Sequence, residues 1–164
     1  MKIAYGITAT LFAASVAAFA ATPCCEEQDF RGIGAGVSPA GVKIQLTEVK
    51  RISPHDIRVT WTFKNTSKQP QILAKTDGAL DNYKLSHGAN LIDAAGRVRM
   101  KVAKDTGGHI LAAEHKPYQR SLIVLDAGQT LTTWAKFVVP ETTTAVSVDL
   151  PGATMPWENV AVSK

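Results

Sequence analysis

Hydrophobic and polar residues alternate without a break from Ile57 to Asn65: Ile57, Val59, Trp61 and Phe63 fall on one side, Arg58, Thr60, Thr62 and Lys64 on the other. A period of two puts successive side chains on opposite faces of an extended chain, so the pattern predicts a half-buried β-strand. Trp61 makes it the strand around which the others should pack. A buried indole removes roughly 150–250 Å² from water, on the order of 4–6 kcal/mol of gross transfer energy at about 25 cal/mol per Å². Turn residues bracket it, with Ser53-Pro54-His55-Asp56 before and Asn65-Thr66-Ser67-Lys68-Gln69-Pro70 after.

The same alternation recurs on both sides. Val42 to Ile52 sets Val42, Ile44 and Leu46 against Lys43, Gln45 and Thr47, and Val49 then breaks the register, which predicts a bulge or an edge bend. Gln71 to Ala74 is a short return. Thr76 to Asn90 is the least periodic part, with Asp77-Gly78, Asp81-Asn82 and His87-Gly88 as turn signals and Leu80, Tyr83 and Leu85 available to cover an open end of the sheet. Leu91-Ile92, the turn Asp93 to Gly96, the strand Arg97 to Ala103 and a reversal at Lys104 to Gly108 follow. Arg120 to Leu125 and Leu131 to Val139 are expected as a hairpin about Asp126-Ala127-Gly128-Gln129, and Pro140 ends the second arm. Val146, Val148 and Leu150 face inward in the next strand, Pro151-Gly152 turns the chain, and Asn159 to Val162 closes it. Seven to nine strands near ten-residue spacing, with no helix after the first twenty residues, predict an all-β, antiparallel, immunoglobulin-like β-sandwich.

The N-terminus changes the address but not the fold. Lys2, the charge-free run Ile3 to Phe19 and Ala18-Phe19-Ala20 have the pattern of a secretory signal peptide cut after Ala20. The run is Ala-rich and interrupted by polar residues, which argues against a membrane anchor. The expected organisation is a signal peptide at 1–20, a Cys-containing acidic and Gly-rich linker at 21–41, and a sandwich domain at 42–164. Cleavage leaves 144 of 164 residues, enough for one core without metal or disulfide. It removes only one of 18 basic residues, so 17 face 14 acids, a net charge of +3 that gives no case for nucleic acid. No transmembrane segment is expected in the mature chain, which should be periplasmic or secreted.

Cys24 and Cys25 are adjacent, with Cα atoms about 3.8 Å apart where disulfides prefer about 4.4–6.8 Å. In an exported chain they are candidates for an intermolecular disulfide, linking two copies, or for modification. A strained local ring or an uninvolved mobile tail would account for the pair equally simply.

Two segments carry a family likeness: Leu46 to Asn65, ending Val59-Thr60-Trp61-Thr62-Phe63-Lys64-Asn65, and Leu125 to Val162, with Ala127-Gly128-Gln129-Thr130, Phe137-Val138-Val139-Pro140 and Leu150-Pro151-Gly152. They resemble the small exported bacterial β-sandwich domains called telokin-like or DUF4352-like, which also occur ahead of OmpA-type domains. The resemblance implies a fold and an envelope address; it implies no catalytic residues.

Candidate chemistry is sparse. His109 and His115, with Glu114, come nearest to a metal set, but their spacing fits no H-x-x-x-H pattern. There is no G-x-S-x-G elbow, and Asp77, Asp81, Asp93, Asp105 and Asp126 all stand in turn contexts. The expectation is a protein that is not an enzyme, with no cofactor and no metal. Two features remain. Arg97, Arg99 and Lys101 alternate with Val98, Met100 and Val102, with Lys104 beyond, which serves either as edge protection or as a contact for an anionic surface. Trp134 falls opposite the Leu131, Thr133, Ala135, Phe137, Val139 face, so either another segment, such as that near Trp157, covers it or it is an exposed aromatic contact.

Together these features predict a non-enzymatic, exported binding or structural accessory of the cell envelope, its partner another envelope protein or a cell-wall polymer. Two different functions stay open: a secreted protein-binding module, inhibitor or adhesin-like, using loops 77–90 and 104–117; and a metal-binding or hydrolytic protein acting through His109 and His115.

Overall fold

The computed structural model describes residues 25–76, 81–93, 98–117 and 121–164. The strands are β1 (Gln28–Asp29), β2 (Val42–Ser53), β3 (Asp56–Asn65), β4 (Gln71–Lys75), β5 (Asn90–Asp93), β6 (Arg99–Lys101), β7 (Leu122–Leu125), β8 (Thr130–Val138), β9 (Ala145–Asp149) and β10 (Trp157–Ala161). One 3-10 turn, Asp81–Tyr83, lies between β4 and β5. Among the described residues ten strands, rather than seven to nine, build an antiparallel all-β sandwich; the addition is β1, a two-residue strand too brief to show a period, within the stretch expected as a linker.

Two four-stranded sheets run β1-β2-β3-β8 and β10-β9-β5-β6, and β4 pairs with β7 in a third, two-stranded sheet. The larger sheets are joined at both sides. Ser163, just beyond β10, bridges Lys50 of β2, and the Ala103 N–H beyond β6 donates to the Lys136 carbonyl of β8 at 2.8 Å.

The strand carrying Trp61 is central, flanked by β2 and β8. Ile57, Val59, Trp61 and Phe63 are all fully buried, as the alternation requires. They meet Ile44, Leu46 and Val49 of β2 and Ala135 and Phe137 of β8, with Leu91, Val146 and Val148 from the other large sheet in the same core. The register break in β2 is a bulge at Thr47, just ahead of Val49. Leu46 faces Trp61 and Glu48 faces Thr60, leaving Thr47 extra, and the Thr47 hydroxyl donates to the Thr60 carbonyl at 2.8 Å. Because of that extra residue, Val49 returns to the core opposite Val59.

Two connections differ from expectation. β7 and β8 do not form a hairpin with each other: β7 pairs with β4 and β8 with β3, so the Asp126–Gln129 turn crosses between sheets. Asn65 makes this crossover possible. Its buried side-chain amide donates to the carbonyls of Leu125 and Asp126, fixing the turn to the end of β3. Second, the described part of the expected linker, 25–41, is packed on the sandwich. Gln28 and Asp29 pair with Ile44 and Lys43, and Phe30 is buried with its ring 4.8 Å, edge to face, from that of Phe63. The glycines that resemble a linker in composition are turn positions: Gly32, Gly34, Gly36 and Gly41 all have positive φ. The signal-peptide segment 1–20 lies outside the described residues.

Candidate functional site

The cationic stripe divides when its strand is placed. β6 is an edge strand, paired only with β5 among the strands, and Arg99 and Lys101 are exposed on it while Met100 is half-buried against the core. Arg97 lies outside the described residues. Arg99 is engaged, its guanidinium 3.4 Å from the Asp149 carboxylate on β9, an exposed pair of small energetic value.

Lys101 and Lys104 instead line a cleft of about 390 Å³. His87, Gly88 and Asn90 form one wall, from the segment entering β5; Lys101 and Val102 leave β6; Lys104 and Ile110 come from the following reversal. Strand pairing sets the geometry, since Asn90 stands opposite Lys101 and Lys104 bridges Ile110. The Asn90 amide donates to the Gly88 carbonyl at 2.8 Å, and His87 Nδ1 lies 3.1 Å from the Tyr83 carbonyl, so this wall is held by its own hydrogen bonds. No carboxylate lines the cleft among the described residues. A larger groove of about 610 Å³ at the N-terminal side of the sandwich has the opposite character, lined by Glu26, Glu27, Asp29 and Glu158 with Lys43 the sole cation among the described residues.

The cleft sits between the two loops expected as protein-contact segments, and the structure ties these loops to each other. The His115 N–H donates to the Asn82 carbonyl at 2.7 Å, and the Tyr83 hydroxyl donates to the Glu114 carboxylate at 2.5 Å. That carboxylate pushes the Tyr83 phenol above its ordinary pKa. Asp77 and Leu80 lie outside the described residues.

His109 and His115 serve separate local structures. His109 Nδ1 is 3.0 Å from Asp105 Oδ2, while Asp105 Oδ1 accepts the Gly107 and His109 N–H groups at 2.8 Å each. The backbone N–H and imidazole of His109 hold the Asp105 carboxyl below its usual value. His115 Nε2 lies 2.9 Å from the hydroxyl of buried Thr133, and desolvation lowers its pKa. Among the described residues no three His, Cys, Asp or Glu side chains gather as a metal site.

Cys24 lies outside the described residues; Cys25 is half-buried against the core, and its carbonyl accepts from the Gln45 amide at 3.2 Å. Cys25 thus belongs to a docked segment rather than to a mobile tail. Trp134 is 38% exposed on the outer side of β8, whereas Trp157 is 6% exposed and donates its indole N–H to the Glu26 carbonyl at 2.8 Å. Across the strand edge from Trp134 stands Ala113, whose N–H bonds to the Trp134 carbonyl.

Sequence reasoning named Lys101 and Lys104 as charges and the loops holding His87, Asn90 and Ile110 as contact segments, but not that these residues and Val102 line one cleft. These come together only through the β5 to β6 pairing and the 104 to 110 bridge, and no local pattern announces such a meeting.

Compared with protein families, curated proteins and solved structures, the chain matches none. Among the described residues no helix is long and apolar enough to cross a membrane.

Proposed function

We propose that this chain is an exported, non-enzymatic accessory of the cell envelope that binds an anionic envelope component, a cell-wall polymer or lipid headgroup, in the cleft beneath Lys101 and Lys104. One observation carries the reading: Lys101, Lys104 and Asn90 line a cleft that, among the described residues, no acidic residue lines. Cations on a short edge strand also discourage strand addition, but edge protection needs only exposure, not convergence on a concavity. The address comes from the signal-peptide pattern of the first twenty residues and from the likeness to exported bacterial sandwich domains.

Cosedimentation with envelope fractions tests it. The double variant Lys101→Glu, Lys104→Glu should lose binding, and binding of the unaltered chain should fall steeply between low and physiological salt. Retention that is indifferent to both the substitutions and the salt would overturn the reading.

A further inference from the structure

The outer face of the β1-β2-β3-β8 sheet carries a row of like charges. Lys50 stands opposite Arg58, and Arg58 opposite Lys136, so three cations form one row across three adjacent strands. Like charges placed directly opposite each other destabilise a sheet. Glu48 lies 3.6 Å from Arg58 and Asp56 lies 3.0 Å from Lys136, offsetting two of the three. No carboxylate is paired with Lys50 among the described residues.

The next rows on the same face are of another kind. Glu48 faces Thr60 and Thr60 faces Trp134; beyond them Gln45 faces Thr62 and Thr62 faces Thr132. Trp134 is thus an exposed indole standing among hydroxyls, one row from the cations. It is the only accessible tryptophan of the three, Trp61 being fully buried and Trp157 nearly so.

An indole offers a flat apolar surface, and threonine hydroxyls give and accept hydrogen bonds around it. A pyranose ring has the complementary form, with an apolar C–H face and hydroxyls at its rim. Carboxylates on neighbouring rings of the same ligand would meet the cation row, where guanidinium and ammonium donors make charge-assisted hydrogen bonds. An open sheet face spanning three strands suits an extended chain better than a small molecule. We infer that this face binds an acidic polysaccharide, with a sugar ring stacked on Trp134 and its carboxylates against the Lys50, Arg58 and Lys136 row. The cleft at Lys101 and Lys104 is on other strands, and this inference does not depend on it.

The test uses the purified full chain and a polyuronate oligosaccharide, followed by calorimetry and by acrylamide quenching of tryptophan fluorescence. Polyuronate should bind and shield Trp134 from quencher, and a neutral β-glucan oligomer should bind more weakly. Trp134→Ala should weaken binding roughly tenfold, Trp134→Phe less, and Lys50→Gln severalfold with a shallower salt dependence. Because Trp61 and Trp157 are buried, the quenching signal reports on Trp134, and its shielding separates binding at this face from binding in the cleft. Absence of polyuronate binding, wild-type affinity in Trp134→Ala, or quencher access unchanged at saturation would each overturn the inference. So would a preference of the Trp134 face for phosphatidylglycerol vesicles or single-stranded RNA over polyuronate.

Discussion

The side-chain amide of Asn65 donates to the main-chain carbonyl of Leu125 at 3.0 Å, across 60 residues of chain. The same fully buried amide reaches the carbonyls of Gln69 and Asp126, while its oxygen accepts from the Ser67 N–H and hydroxyl at 2.9 and 2.7 Å. One residue therefore closes the turn after β3 and anchors the crossover from β7 to β8. Asn65→Leu should cost about 2–3 kcal/mol, because the Leu125 carbonyl and the Ser67 N–H lose the partner that Asn65 gives them, while the Asp126 and Gln69 carbonyls keep the Gln129 N–H and the Ser67 hydroxyl. Urea denaturation checks this; a loss below about 0.5 kcal/mol, the level of an ordinary surface substitution, would contradict it.

Trp61 is fully buried, and its indole N–H has no hydrogen-bond partner. Trp61→Ala should cost about 3–5 kcal/mol through the cavity it leaves. Trp61→Phe should cost much less, since it removes a buried donor whose desolvation opposes folding while retaining most of the apolar bulk. Equal losses in the two variants, compared by thermal or chemical denaturation, would show that the N–H is satisfied.

Gly152 has φ +78°, and a Cβ there would overlap the Phe30 ring and approach the Gly32 carbonyl at 3.1 Å. Its own carbonyl accepts the Arg31 N–H at 2.8 Å. Gly152→Ala should combine backbone strain with displacement of Phe30 from Phe63, loosening the docked segment 25–41. Limited proteolysis should then cut within that segment well before the remainder of the domain; an unchanged digestion pattern would exclude this coupling.

Folding stability should depend on pH through His115. Burial lowers its pKa in the fold below the ordinary 6.5, so the neutral imidazole is favoured in the native state. The unfolded chain then binds more protons as pH falls, so the contribution is complete above pH 6.5 and is lost as the pH drops through that value toward the lower folded pKa. Asp56 adds a second, more acidic step. The Ser53 hydroxyl and Lys136 ammonium hold its carboxyl below the ordinary 3.8, giving stability present above that pH and lost beneath it. Denaturation midpoints followed from about pH 8 to about pH 5 should fall for the unaltered chain and flatten for His115→Gln; parallel curves would remove His115 as the cause.

The alternation of Val42 to Ile52, Ile57 to Asn65, Leu131 to Val139 and Ala145 to Leu150 determined the core strands and their buried faces, since a period of two leaves one assignment that hides Trp61, Phe63 and Phe137 together. It also placed Trp134 on the outer side. Tertiary structure alone decided which strands pair. A four-residue turn such as Asp126–Gln129 fits a hairpin as well as a crossover locally, and the choice rests on Asn65, 60 residues from Leu125. Gly-rich composition likewise resembles a linker until Phe30 meets Phe63 in the fold. Both candidate binding surfaces follow the same rule. Lys101 and Lys104 were visible as charges, but the cleft requires β5 to β6 pairing, and the row of Lys50, Arg58 and Lys136 exists only through register across three strands. Local periodicity fixes the direction each side chain takes from its own strand; which other charges it meets depends on long-range hydrogen bonding, which no short window of sequence contains.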